Sequence, residues 1–339
     1  MPRDAEAPAT PGLTYVNDGD PGLARISTPQ GVGYRDAEGR PIKDRAVLDR
    51  IAALVIPPAW TEVWICPDPE GHIQATGRDT RGRKQYRYHD AWRQAQDHAK
   101  FERTIAFGRA LPRLRRRVEA DLRRKGVSRE KVLAAVVRLM ELTLIRVGND
   151  EYAKANKSFG LTTLRDRHAA ITTTGATFEF RGKSAKLHRT AFHDRRLARI
   201  VKACQDIPGQ RLFQYLDADG VRHPVESSDV NAYIRAAVGE QFSAKDIRTW
   251  AGTLAAARAL VEPPGPVSAP EAKRRVVTTV KAVAALLGNT AAVCRGSYIH
   301  PLVLEAYERG ALPLKPSRSP RGFELSVLRF LEAAQAGVR

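Results

Sequence analysis

The chain has 339 residues, 43% of them hydrophobic, which is long enough for two domains and too apolar for a disordered basic tail. Lys and Arg total 56 against 37 Asp and Glu, and a net charge of +19 points to a polyanion, nucleic acid first and an anionic membrane surface second. No apolar run approaches the ~18–20 residues that span a bilayer, no signal-peptide core opens the sequence, and Cys66, Cys204 and Cys294 are too scattered for a disulfide framework or a zinc site, so a cytoplasmic protein is expected.

In chain order, residues 1–25 are rich in Pro, Gly, Asp and Ala and read as a flexible tail. Residues 26–105 read as a small domain built on an antiparallel sheet. A turn at 36–39 leads to a helix near 44–54, which Pro57 and Pro58 cannot continue. Strand-like runs follow at 63–66, 72–77 and 84–88. In the third run, alternation puts Gln85 and Arg87 on one face and Lys84, Tyr86 and Tyr88 on the other. With Arg83 and the preceding basic turn, this is the densest aromatic and basic patch in the chain. It reads either as an edge strand with core tyrosines or as a ribbon laid on DNA.

Residues 106–339 read as mainly helical. Gly126 closes a charged helix, and Ser128 then caps an apolar helix that runs to Ile145 and delivers Arg146 to its end. Strands near 171–174 and 177–180 lead into a turn that carries Lys183 beside Gly182. Helical patterns are expected at about 191–204, 228–238, 245–260, 271–287 and 322–336. Gly288 stops one of these helices, and Asn289 and Thr290 start another just ahead of Tyr298.

The sequence lacks a GxxxxGK[ST] phosphate loop, an HExxH pair and a DxDxDG calcium loop, so neither ATP coupling nor a bound metal is expected. What remains is a phosphate-handling set: Arg146, Lys183, Arg248 and Tyr298, with Asn289 close to the tyrosine. Singly, each cation reads as a surface residue and the tyrosine as packing. Together, two guanidiniums clamp phosphate oxygens, a lysine protonates a leaving oxygen and a phenol attacks.

The order Ile145-Arg-Val-Gly148, Phe180-Arg-Gly-Lys183, Ile247-Arg-Thr-Trp250 and Gly288-Asn-Thr with Ser297-Tyr298 resembles the type IB DNA topoisomerases, in their compact bacterial and poxvirus-like branch. Ile56-Pro-Pro-Ala-Trp60 and the 77–88 stretch resemble that branch's N-terminal domain, so the likeness covers residues 30–310. It implies an α+β protein of two domains: a small antiparallel β-sheet domain and a larger, mainly α-helical catalytic domain, clamping double-stranded DNA as a monomer without ATP, metal or other cofactor. It further implies that Tyr298 forms a 3′-phosphotyrosyl intermediate, that Arg146, Arg248 and Asn289 stabilise the transition state, and that Lys183 is the general acid. Arg83, Lys84, Gln85, Tyr86, Tyr88 and Tyr152 become the expected DNA contacts.

One departure is that Asn289 stands where the poxvirus-like and nuclear enzymes carry His; an amide donates the same hydrogen bond but bears no charge. The nearest rival is a tyrosine recombinase or integrase, which shares the Arg/Lys/Arg/Tyr plan. Recombinases usually carry HxxR around the second arginine, where this chain has Lys245, and their N-terminal domain is helical. A non-catalytic DNA clamp is the remaining alternative.

Overall fold

Alternating apolar residues in short strands need a partner layer, and in the first part of the chain one helix supplies it. The computed structural model describes residues 12–28, 31–183, 186–262 and 268–336, with the side chains of 97, 98 and 152 outside the description. It divides into two units at Lys100/Phe101.

In the first unit, β1 (Leu23–Thr28), β2 (Gly31–Arg35), β3 (Thr61–Ile65), β4 (Ile73–Arg78) and β5 (Lys84–Tyr88) form an antiparallel sheet in the order β2-β1-β3-β4-β5. The helix α1 (Arg45–Ala53) starts where the Asp44 carboxylate accepts the Ala46 N–H at 2.8 Å. Ile51 of this helix is buried with Leu23, Val63, Ile65 and Ala75, and Val47 and Leu54 pack on that core. The other face carries Trp64, Thr76 and Tyr86 in cross-strand register. On edge strand β5 the alternation read from sequence holds. The Tyr86 and Tyr88 rings stack with centroids 5.7 Å apart, and the Lys84 ammonium lies 5.5 Å from the Tyr86 ring.

The expected tail needs correcting over residues 12–25, whereas residues 1–11 lie outside the description. Thr14 donates its N–H to the Glu70 carbonyl and accepts the His72 N–H, each at 2.8 Å. Tyr15 stacks on His72 at 4.6 Å, the Trp64 indole donates to the Asp20 carbonyl at 2.9 Å, and β1 begins at Leu23. Composition suggests a loop here because Pro and Gly break local periodicity; pairing with distant backbone and rings holds the segment nonetheless.

The second unit contains most of α2 (Asp90–Asp121), then α3 (Arg129–Thr143), α4 (Asp150–Asn156), β6 (Ala169–Ile171), β7 (Gly175–Arg181), β8 (Leu187–His193), α5 (Arg195–Gln205), β9 (Gln214–Leu216), β10 (Arg222–Pro224), α6 (Ser227–Val238), α7 (Ala244–Val261), α8 (Ala269–Leu287), α9 (Ala291–Ser297), α10 (Pro301–Glu308) and α11 (Pro320–Ala336). At its centre is α3, whose residues 132–137, Leu139 and Met140 are all buried; α5, α6 and α7 pack around it. Thus an α+β protein is observed, with an antiparallel sheet domain ahead of a larger helical one. The carboxylates of the interior are committed to structure. Arg115 bridges Glu141 at 2.9 Å and Glu324 at 2.6 Å, the Trp250 indole donates to Glu324 at 2.7 Å, and Arg103 meets Asp246 at 3.0 Å.

Several expected boundaries move: the charged helix expected to close at Gly126 ends at Asp121, the strand expected near 171–174 lies at Ala169–Ile171, and two further shifts lie close to the site. The helix anticipated from 191 starts at Arg195, because residues 187–193 pair along the whole length of β7 as β8; the Asp194 carboxylate then caps α5. The helix anticipated through Ile145 ends at Thr143, where Leu144 turns left-handed with φ 55°. That turn aims the following residues away from the helix axis.

Candidate active site

Arg146 is placed by a helix end and two glycines. After Leu144, the Arg146 and Val147 carbonyls accept the Leu161 and Thr162 N–H groups at 2.9 and 2.7 Å. Gly160 lets the two segments approach this closely, since a Cβ there would lie 2.6 Å from the Arg146 carbonyl oxygen. The Arg146 guanidinium then reaches the end of α8, donating to the Gly288 carbonyl at 3.1 Å and to Asn289 Oδ1.

Gly288 ends α8 in a left-handed turn with φ 61°. The Asn289 N–H returns to the Ala284 carbonyl at 2.8 Å and the Gly288 N–H to Ala285 at 3.1 Å, the paired bonds of a Schellman stop. The chain leaves the helix here, and Thr290 caps α9 through its hydroxyl. A guanidinium has only donors, so the Asn289 amide must present its oxygen to Arg146. Its nitrogen is left facing elsewhere, buried and without a hydrogen-bond partner among the described residues.

Arg248 lies in the second turn of α7, 3% exposed. It donates to the Leu144 carbonyl and, at 2.7 Å, to the Leu287 carbonyl, tying together the ends of α3 and α8. Its Nε is buried and unpartnered. Burial first, then repulsion from Arg146, push Arg248 down to about 10, against an opposing influence of Tyr298. Burial likewise lowers Arg146, again opposed by Tyr298. Neither guanidinium is paired with a carboxylate among the described residues.

Tyr298 follows α9, its N–H bonded to the Cys294 carbonyl at 2.9 Å. The Arg248 guanidinium carbon lies 5.5 Å from its ring centroid. One turn beyond Arg248, Gly252 presents bare backbone to the tyrosine; a Cβ there would come within 2.5 Å of the Tyr298 carbonyl oxygen. Next along α7, the Thr253 hydroxyl accepts the His300 N–H at 3.1 Å. So α7 supplies both the cation over the Tyr298 ring and the seat for the backbone that carries it. His300 caps α10 and Arg295 faces Glu308 at 3.7 Å, so both have structural contacts of their own.

Arg146, Arg248, Asn289 and Tyr298 are therefore gathered by direct or shared contacts. Arg146 and Arg248 border a cavity of about 310 Å³ with Gly182, His188, Phe159 and Phe180. Lys183 is exposed at the tip between β7 and β8, directly after Gly182, and makes no hydrogen bond to the other four among the described residues. Sequence reasoning missed His188, Gly252 and Thr253. A glycine within a helix, four residues past Arg248, was the one available signal.

The expected DNA contacts lie in the first unit, except Tyr152. Arg83 meets Asp79 at 2.6 Å, and the Gln85 amide donates to the same carboxylate at 3.0 Å. The Arg83 guanidinium is the chief cause that brings Asp79 down to about 2. Lys84 meets Asp18 at 2.5 Å, and Thr76 donates to Asp18 at 2.9 Å. Burial works the other way there, yet these partners hold the Asp18 carboxyl below its ordinary value. Tyr152 belongs to α4, and its side chain is among those not described.

Comparison with known proteins matches the sequence of this chain to the type I DNA topoisomerases. The catalytic core of eukaryotic DNA topoisomerase I matches residues 89–314, and the N-terminal domain of bacterial DNA topoisomerase IB matches residues 31–79. The DNA topoisomerase 1B of Acanthamoeba polyphaga mimivirus is 35% identical over 269 residues, covering 77% of this chain and 80% of the viral protein. DNA topoisomerase I of monkeypox virus and DNA topoisomerase 1B of vaccinia virus are each 22% identical over 235 residues, covering 68% of this chain and 70% of theirs. The chain belongs to the type IB DNA topoisomerases: it is a DNA topoisomerase I, an isomerase whose substrate is DNA.

Proposed function

We propose that this enzyme relaxes DNA supercoils of either sign by opening and resealing one strand through Tyr298. The observation that carries this reading is the cluster in which Arg248 lies over the Tyr298 ring and Arg146 holds the Asn289 amide, with neither guanidinium on a carboxylate and the amide nitrogen without a partner among the described residues. A scissile phosphate placed there meets donors already aimed and already desolvated, which is where electrostatic stabilisation is strongest. The Tyr298 oxygen attacks phosphorus, Arg146, Arg248 and the Asn289 amide take up the growing charge on the non-bridging oxygens, and Lys183 protonates the departing 5′ oxygen. The product is a 3′-phosphotyrosyl enzyme and a free 5′-hydroxyl. One phosphodiester is exchanged for another, so religation draws on no ATP and no metal. Rotation of the free end about the intact strand releases supercoils.

In this reading Arg83, Lys84, Gln85, Tyr86, Tyr88 and Tyr152 contact the duplex, and a single chain completes the site. Relaxation of supercoiled plasmid in EDTA without ATP, comparing the parent with Tyr298→Phe, tests the reaction. Relaxation by the parent alone is expected. Relaxation by both proteins would place the nucleophile elsewhere, and relaxation by neither would favour a recombinase or an inactive clamp.

A further inference from the structure

His188 lies opposite Phe180 in the β7–β8 register, and directly opposed residues of an antiparallel pair share a face. The two rings stack with centroids 5.4 Å apart and planes 11° from parallel. The stack fixes the plane of the imidazole, and its rim then meets glycines from two separate segments. A Cβ on Gly182 would lie 2.5 Å from His188 Cδ2 and 2.6 Å from Nε2. A Cβ on Gly288 would overlap Cε1 and lie 3.1 Å from Nε2. No side chain fits at either position while the ring is there.

These glycines are the residues immediately before Lys183 and Asn289. The ring therefore occupies the gap between the tip that carries the lysine and the turn that carries the amide. Nε2 sits on that rim, buried and without a hydrogen-bond partner among the described residues. A phenylalanine would give the same stack without leaving a nitrogen unsatisfied, but its larger ring would press on both glycines, so the size of the imidazole sets this spacing. Burial, then Arg146, Arg248 and Lys186, disfavour the imidazolium, so the ring acts here as a neutral spacer.

We propose that His188 is a positioning residue for departure of the 5′ oxygen, setting the distance between the Gly182–Lys183 tip and the Gly288–Asn289 turn. The proposal rests on Lys183 being the general acid. In that step the Tyr298 oxygen–phosphorus bond forms, with the phenolic proton released to solvent. The bond from phosphorus to the 5′ oxygen breaks, and that oxygen takes a proton from the Lys183 ammonium; religation reverses each transfer. A lysine on an exposed tip reaches the leaving oxygen only as accurately as the tip is seated, and a misplacement of about 1 Å costs on the order of 10²-fold in rate.

The test is single-turnover cleavage of two DNA strands, one with an ordinary scissile phosphodiester and one with sulfur replacing the bridging 5′ oxygen. A thiolate leaves without protonation, since thiols ionise near ~8.5 and alcohols far higher. His188→Ala is expected to cleave the ordinary strand about 10²-fold more slowly and the sulfur strand near the parental rate. Lys183→Ala is expected to show the same selective rescue, and Arg146→Ala to be slow on both. Equal slowing of His188→Ala on both strands, or parental cleavage of the ordinary strand, overturns the positioning role while leaving Lys183 in place. Failure of the sulfur strand to rescue Lys183→Ala overturns the general-acid reading and the proposal with it. Should the alanine protein not bind DNA, His188→Phe keeps the stack on Phe180 and, being larger, displaces the tip. It is expected to lose about 10-fold on the ordinary strand alone, and equal loss on both strands counts against the proposal.

Discussion

Beside β5, Arg83 closes on Asp79 at 2.6 Å and Lys84 on Asp18 at 2.5 Å, whereas around Tyr298 both arginines donate to carbonyl and amide oxygens and meet no carboxylate among the described residues. In the proposed reading the two sets of cations meet the same polyanion, and they start from different states. The outer set is exposed and already neutralised, so a phosphate that displaces Asp79 or Asp18 exchanges one weak surface pair for another. Binding by such exchange is shallow, reversible and salt-sensitive, as needed for movement along DNA. The inner set, buried at Arg248 and half-buried at Arg146, is mutually repulsive and meets no carboxylate among the described residues, a condition that costs the free protein stability until an anion arrives. In the proposed mechanism, charge that develops on a reacting phosphate is then met by donors in a fixed place, so the gain falls on the transition state.

The largest effect that would break this contrast concerns the inner arginines. Arg146→Ala or Arg248→Ala is expected to lower the single-turnover cleavage rate by about 10²–10³-fold, the range for losing one oxyanion donor. Lys84→Ala is expected mainly to weaken binding, reducing the slope of log K against log salt by about 0.9. Equal losses of cleavage rate at saturating DNA in both regions would erase the distinction. Gly252→Ala probes the seat of the phenol rather than its charge. The added methyl meets the Tyr298 carbonyl oxygen at 2.5 Å, and the resulting shift is expected to slow cleavage on the order of 10²-fold with DNA binding retained. Parental cleavage by this variant would show that the placement of Tyr298 tolerates movement.

A smaller effect reports the uncompensated charge directly. Sulfate at about ten times its Kd should stabilise the free protein by about 1.4 kcal/mol, a rise of a few degrees in Tm that Arg146→Ala or Arg248→Ala removes. A rise of equal size in those variants would assign the anion to other cations. At the outer face, Asp18→Asn should strengthen DNA binding a few-fold at low salt by freeing Lys84, and binding unchanged or weakened would deny that the carboxylate competes with phosphate.

The smallest effect is the response of stability to pH. His188 is lowered by burial, then by Arg146, Arg248 and Lys186; His168 is lowered by burial, then by Arg167 and Arg165. A histidine held below its ordinary value binds its extra proton more readily in the unfolded chain. Its contribution is therefore complete above about pH 6.5 and is lost as pH falls from there through the lower folded value. The Tm should decline between about pH 7 and 5, and less steeply in His188→Asn; an unchanged slope would mean that the inner cations do not act on the ring.

Local signals carried much of this architecture. Strand β5 has the expected ends, α6 departs from expectation by one residue, and the Gly288 stop with a new cap at Thr290 was written in residue types. Strand β8 was taken in part for helix because pairing with β7 overrides the propensity of Ala191-Phe-His193. Strand β1 was hidden behind Pro21-Gly22, and its partners β2 and β3 are distant information that no local window contains. The five residues singled out for chemistry were legible as residue types in order, and four of them meet in space. The supports were not legible, because contacts such as Gly182 and Gly288 against one imidazole exist only in three dimensions.

The most direct measurement is to trap the covalent intermediate on a DNA strand that loses its 5′ fragment after cleavage, then map the adduct by peptide mass. The account predicts a single adduct, with the Tyr298 oxygen joined to the 3′-phosphate of the retained strand, and none in Tyr298→Phe. An adduct on another residue, or one joined through a 5′-phosphate, would contradict it.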